Sequence, residues 1–153
     1  MHLAHYLGLL HRAQLTLGDA FREVGAAHGD EPDVAEQCAR QARRCDRHAR
    51  DLEPFARRYA EDAPDEPERL HSELFRGTRT GGLGLVRDLH DLYLMATECE
   101  LCWTVVGQAA QGLRDAGLFA VVRRWEGETA IQVKWLRTRI KQAAPQALVV
   151  AAD

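Results

Sequence analysis

The stretch Cys38-Ala39-Arg40-Gln41-Ala42-Arg43-Arg44-Cys45-Asp46-Arg47-His48 sets two thiols and an imidazole among arginines. At ~100° per residue a helix sorts these side chains into two faces. Ala35, Cys38, Ala42, Cys45, Ala49, Leu52, Ala56 and Tyr59 fall on one face, flanked by Val34, Gln41, His48 and Phe55. Arg40, Arg43, Arg44, Arg47 and Arg50 fall opposite, with Glu36, Asp46 and Asp51 near them as ion-pair partners. The stretch therefore reads as an amphipathic helix over about residues 31–59 with a solvated arginine stripe. Its core face is made of small residues, so a neighbouring helix can approach closely or a cavity can remain. Pro54 is expected to kink it, because the ring removes a backbone donor.

The flanking sequence carries the same period. Leu3, Tyr6, Leu10, Ala13, Leu17, Ala20 and Val24 alternate spacings of three and four, and Gly25 and Gly29 close that helix. Asp30-Glu31-Pro32-Asp33 is a start signal for the next one. Asp65-Glu66-Pro67 repeats that signal and predicts a short helix to about residue 75, ended by Gly77, Gly81 and Gly82. Two more long helices are expected over about residues 83–114 and 118–142, with Pro145 beyond them and an apolar tail over 144–153. Four long helices with apolar stripes make an all-α four-helix bundle, a single domain over residues 1–153. About twenty residues separate the second long helix from the third, where antiparallel neighbours need only ~2–8. That length favours a long crossover, containing the short helix.

Bulk properties exclude several classes. A net charge of −3 provides no broad field for nucleic acid or anionic membrane. No apolar run reaches the ~20 residues of a membrane span, and the start MHLAHYLGLLHRAQL lacks a signal peptide's basic lead. Four cysteines do not make a disulfide framework, which places the chain in a reducing cytoplasm. Eighteen arginines against two lysines, with abundant alanine, suggest a GC-rich bacterial genome. Among the seven histidines, no pair is spaced to face one haem.

Each stripe is interrupted once by polar residues near mid-helix. These are Gln14 in the first helix, Cys45 and His48 in the second, Glu100 in the third, and Thr129 and Gln132 in the fourth. At ~1.5 Å per residue, Gln14, Cys45, Glu100 and Thr129 lie about 20–25 Å from the ends their helices share in a crossover bundle. The expected result is a polar core layer of Gln14, His48, Glu100, Thr129 and Gln132, in which His48 bonds to Glu100.

This plan resembles the ferritin-like superfamily. In its di-iron members two helices each supply a Glu and two each supply Glu-x-x-His. The resemblance places Gln14 in the first Glu position, Cys45-x-x-His48 in the first Glu-x-x-His, Glu100 in the third-helix Glu, and Thr129-x-x-Gln132 in the last slot. Only His48 and Glu100 match, so the centre is degenerate. One carboxylate and one imidazole cannot balance two irons.

The leading functional expectation is a non-catalytic ferritin-like protein without a cofactor, acting by self-association or by binding a protein partner. The alternative is a single Zn, Cu or Fe ion held by Cys45, His48 and Glu100, with Cys99 as a fourth ligand. A further alternative is a small apolar ligand in space left by the alanines and cysteines. Leu94, Leu101 and Val105 lie away from the third helix's core stripe, so that helix is apolar almost all round. The second cover is expected to be another copy, giving a homodimer, or else the folded-back tail.

Overall fold

The computed structural model describes residues 1–61 and 73–150. Among them are four helices and no strand: α1 (Leu3–Ala27), α2 (Pro32–Ala60), α3 (Gly81–Leu113) and α4 (Ala116–Leu148). None is long and apolar enough to cross a membrane. The expected short helix over 65–75 falls mostly on residues 62–72, outside the described residues, and 73–80 carry no helix.

The boundaries follow local chemistry. Pro32 sits in the first turn of α2 with Asp33, and Arg139 of α4 pairs with both Glu31 (3.1 Å) and Asp33 (2.7 Å). Asp115 caps α4 by accepting from the Leu118 N–H at 3.0 Å. Arg114 ends α3 in the left-handed region at φ 56°, so α3 and α4 are joined by a two-residue turn, Arg114-Asp115. The helix expected to stop near Gln142 instead runs through Pro145 to Leu148. Proline loses only one backbone bond there, and the Pro145 carbonyl accepts from the Val149 and Val150 N–H groups. Leu148, Val149 and Val150 are exposed, so the described part of the tail does not fold back over α3.

Residue pairs give the arrangement. Gly18 faces Cys45, and Gly25 faces Cys38, so α1 and α2 are antiparallel. Trp103 meets Thr129, and Gly82 meets Ala147, so α3 and α4 are antiparallel. His28 meets Asp88 across α1 and α3. His48 meets Glu128, and Tyr59 meets Asp115, across α2 and α4. The helices α1 and α4 occupy one diagonal of the bundle and α2 and α3 the other, with no close backbone approach across either diagonal.

The core is continuous. Leu7, Leu10, Leu17, Phe21, Leu52, Leu89, Leu92, Trp103, Leu118 and Leu136 are fully buried, each worth ~1.5–3 kcal/mol of transfer free energy. The small face of α2 is filled by close approach: a Cβ on Gly18 would lie 3.3 Å from the Cys45 Cβ, and one on Gly25 would lie 2.9 Å from that of Cys38. The space that the alanines and cysteines could have left for a ligand is thus taken up by the α1 backbone.

The seams differ in character. Apolar side chains such as Leu9, Ala13 and Met95 line the α1–α3 seam. The α2–α4 seam has few close approaches and is bridged mostly by long polar side chains.

Candidate functional site

The polar layer forms around His48, which is fully buried. Its Nδ1 lies 3.3 Å from Gln14 Oε1, and its Nε2 lies 3.1 Å from Glu128 Oε1. Two indoles enclose the ring. Trp125 lies 4.9 Å away, tilted, and Trp103 lies edge-on at 5.9 Å. Trp103 donates to Thr129 Oγ1 at 2.9 Å, and Trp125 donates to Asp51 at 2.7 Å. The Gln132 amide N–H faces the Gln41 carbonyl and the Cys45 sulfur, each at 3.5 Å. Gln14, His48, Thr129 and Gln132 are thus brought into the buried interior as expected from the helical wheels.

Glu100 is not the partner of His48; it is half-buried on α3. The reason is adjacency. Because α2 and α3 are diagonal, the carboxylate that reaches a side chain on α2 comes from α4. Glu128 is one turn from Gln132 and three residues after Trp125, at the margin of the α4 core face. Its side chain is 25% exposed and also attracts Arg44 (3.7 Å) and Arg47 (3.9 Å). These two arginines therefore lean across the α2–α4 seam rather than standing in a free stripe. Asp46 pairs with Arg22 of α1, and Asp51 with Trp125 and Arg124 of α4. Arg40 pairs with Glu36 as the spacing suggests.

Burial holds the His48 imidazole below its ordinary pKa, with Glu128 pulling the other way. Burial pushes the Cys45 thiol up to about 12 and raises Cys99 well above the usual range, so both are neutral thiols. Among the described residues, no three His, Cys, Asp or Glu side chains are grouped to hold a metal ion. Cys45, Cys99, His48 and Glu100 are not brought together as one ligand set. The donors in the layer are an imidazole, one carboxylate shared with two arginines, amides, a hydroxyl and neutral thiols. That set does not fit a dinuclear iron centre, which needs several anionic oxygens.

A second polar cluster escaped the sequence reading. Asp88 is fully buried and accepts from the Arg79 backbone N–H (2.9 Å), from Arg79 Nη1 (2.8 Å) and from His28 Nε2 (2.8 Å). The same Arg79 nitrogen reaches Asp91 at 2.9 Å, and Arg87 pairs with Asp91 at 3.2 Å. Arg79 can lie there because residue 84 is glycine: a Cβ would be 2.8 Å from the Arg79 carbonyl carbon. The cluster ties the entry to α3 to the end of α1. Its sequence signal was two aspartates interleaved with Leu85, Leu89 and Leu92.

Leu94, Leu101 and Val105 lie on the outward side of α3, with Leu101 63% exposed. Next to Val105 an apolar groove of about 430 Å³ is lined by Leu3, Tyr6, Ala109 and Leu113, among others. None of the protein-family models, the curated proteins or the solved structures matches this chain.

Proposed function

We propose that this chain is a ferritin-like bundle with a degenerate centre, non-catalytic and without a cofactor, that self-associates through the outward face of α3 as a homodimer. The observation that carries this reading is the exposed Leu94, Leu101 and Val105 face with the apolar groove beside it. A soluble helix presents such a face to a partner. The polar centre favours the same reading, because both ring nitrogens of His48 are engaged by Gln14 and Glu128, and Thr129 accepts from Trp103.

The ferritin-like topology is supported by the helix directions. If all four neighbouring pairs are antiparallel, α2 and α3 run the same way, and the chain between them must return the length of the bundle. The number of residues between Ala60 and Gly81 is sufficient, since α2 with 29 residues is ~44 Å long and a chain of twenty residues could reach ~66 Å. Four free, buried cysteines suit a reducing cytoplasm.

The test is mass in solution. Light scattering on the purified chain should give twice 17.2 kDa, and Leu101→Glu should give the monomer mass with unchanged helix content. A wild-type chain that stays monomeric at the highest soluble concentration defeats the proposal.

A further inference from the structure

We propose that the cleft between α3 and α4 lined by His90, Tyr93, Arg137, Ile140 and Lys141 binds the phosphate group of a phosphomonoester. The cleft is a shallow surface depression of about 360 Å³, open enough to admit a small anion from solvent.

Its polar groups can all donate. Arg137 donates to Tyr93 Oη and lies over the ring, its Cζ 5.3 Å from the centroid. Because Tyr93 oxygen accepts from Arg137, its own O–H proton remains available for a ligand. Arg87 Nη1 lies 3.3 Å from His90 Nδ1. A guanidinium only donates, so Nδ1 must accept and the neutral ring carries its proton on Nε2. Lys141 adds an ammonium one turn beyond Arg137. Four donors thus border one cleft: guanidinium, ammonium, phenol and imidazole N–H.

Among the described residues, the charge here is also uncompensated by acids. Elsewhere on α4, Arg123 pairs with Glu126, Arg124 with Asp51, and Arg139 with Glu31 and Asp33. Among the described residues, no carboxylate lies within 4.0 Å of an Arg137 or Lys141 nitrogen. The nearest acid in sequence on α3, Asp91, is already held by Arg79 and Arg87. Two cations with no carboxylate beside them among the described residues match the two charges of a phosphate monoester. Ile140 and the Tyr93 ring offer an apolar wall for the organic part.

The probes are phenyl phosphate and inorganic phosphate, followed by amide NMR at ionic strength held constant with sodium chloride. The expected result is saturable shifts confined to residues 87–94 and 137–141, with phenyl phosphate binding more tightly than inorganic phosphate. Lys141→Gln should weaken binding about tenfold, the loss of one charge-assisted bond. Arg137→Gln should do the same, but it also touches Tyr93, so exposed Lys141 is the cleaner variant. Shifts that never saturate, shifts reproduced by matched sodium chloride, or an unchanged affinity in Lys141→Gln would overturn the proposal. Co-sedimentation with phosphatidate vesicles but not phosphatidylcholine vesicles would assign the ester to a lipid headgroup. Saturation by phenyl phosphate without co-sedimentation would assign it to a free metabolite.

Discussion

Gly25 of α1 and Cys38 of α2 are set so close that a Cβ on the glycine would lie 2.9 Å from the cysteine Cβ, a distance real side chains do not adopt. Seven residues earlier in α1, Gly18 stands against Cys45, where a Cβ would lie 3.3 Å from the cysteine Cβ, tight but within what a small shift of the neighbour relieves. Gly25→Ala must push the helices apart, which costs ~1–3 kcal/mol by overpacking and outweighs the ~0.5–1 kcal/mol that alanine gains in helix propensity. Gly18→Ala should come out near neutral. Urea unfolding followed by circular dichroism separates the two; a Gly25→Ala variant as stable as wild type contradicts this packing.

His48 should make the fold sensitive to mild acid. Its folded pKa lies below the unfolded value of about 6.5, because burial, helped by the charges of Arg47 and Arg44, outweighs the attraction of Glu128. Between those two values the unfolded chain binds the extra proton, so stability rises with pH through the window and is lost as pH falls below about 6.5. Unfolding free energies measured from pH 8 to pH 5 should decline, and His48→Gln should flatten that part of the curve. A wild-type curve with the opposite slope that flattens in His48→Gln would show the sign to be wrong.

The same ring has a preferred tautomer. A neutral imidazole has one N–H for the two oxygens facing it, and the carboxylate of Glu128 is the stronger acceptor. The proton therefore belongs on Nε2. Gln14 then serves Nδ1 best by turning its amide to present the –NH2, which also gives its buried, unpartnered Nε2 a bond. Nitrogen NMR of the ring at pH 7.5 should report an Nε2–H imidazole; an Nδ1–H form would contradict it.

All four thiols should be silent in the native protein. Cys38 and Cys45 are pushed up to about 12 and Cys102 to about 11, chiefly by burial, and Cys99 is fully buried. A thiol-reactive dye at pH 8 should label none of them at once and all four in denaturant. Rapid labelling of any of them in the folded chain would contradict this, and labelling at Cys38 or Cys45 would show that the α1–α2 contact opens readily.

The Asp88 cluster should be costly to break. Asp88→Asn keeps the shape but weakens the bonds from Arg79 and His28, for a loss of about 2–3 kcal/mol. Arg79→Ala leaves the buried carboxylate with His28 and the backbone N–H of residue 79, and should also destabilise, by a smaller amount because that backbone bond remains and Arg79 is itself 42% exposed. Thermal or urea unfolding of both variants checks this; no change in Asp88→Asn would mean that the cluster adds nothing to the fold.

The sequence made the helices legible because apolar residues recur at spacings of three and four over more than twenty positions. It also placed Gln14, His48, Thr129 and Gln132 in the core, since a wheel reports which side of one helix is buried. A wheel does not report which helices are neighbours. Glu100 and Glu128 are both carboxylates at the margin of a core face, and only the arrangement of α2 beside α4 chooses between them. Asp88 was missed for a related reason. A buried aspartate resembles a surface one until Arg79 and His28, nine and sixty residues away in sequence, are seen to meet it. The close approach of α1 to α2 was half legible: small residues permit it, but whether space is filled or left empty depends on Gly18 and Gly25 across the seam.

The contrast between the seams gives the molecule a soft side. Added sulfate strengthens the burial of apolar side chains such as Leu9 and Met95, yet it screens charged bridges such as Arg139 to Asp33. Ionic strength thus acts as a lever with its fulcrum along α1 and α3, loosening the opposite edge first, like a book opening from its fore-edge while the spine tightens.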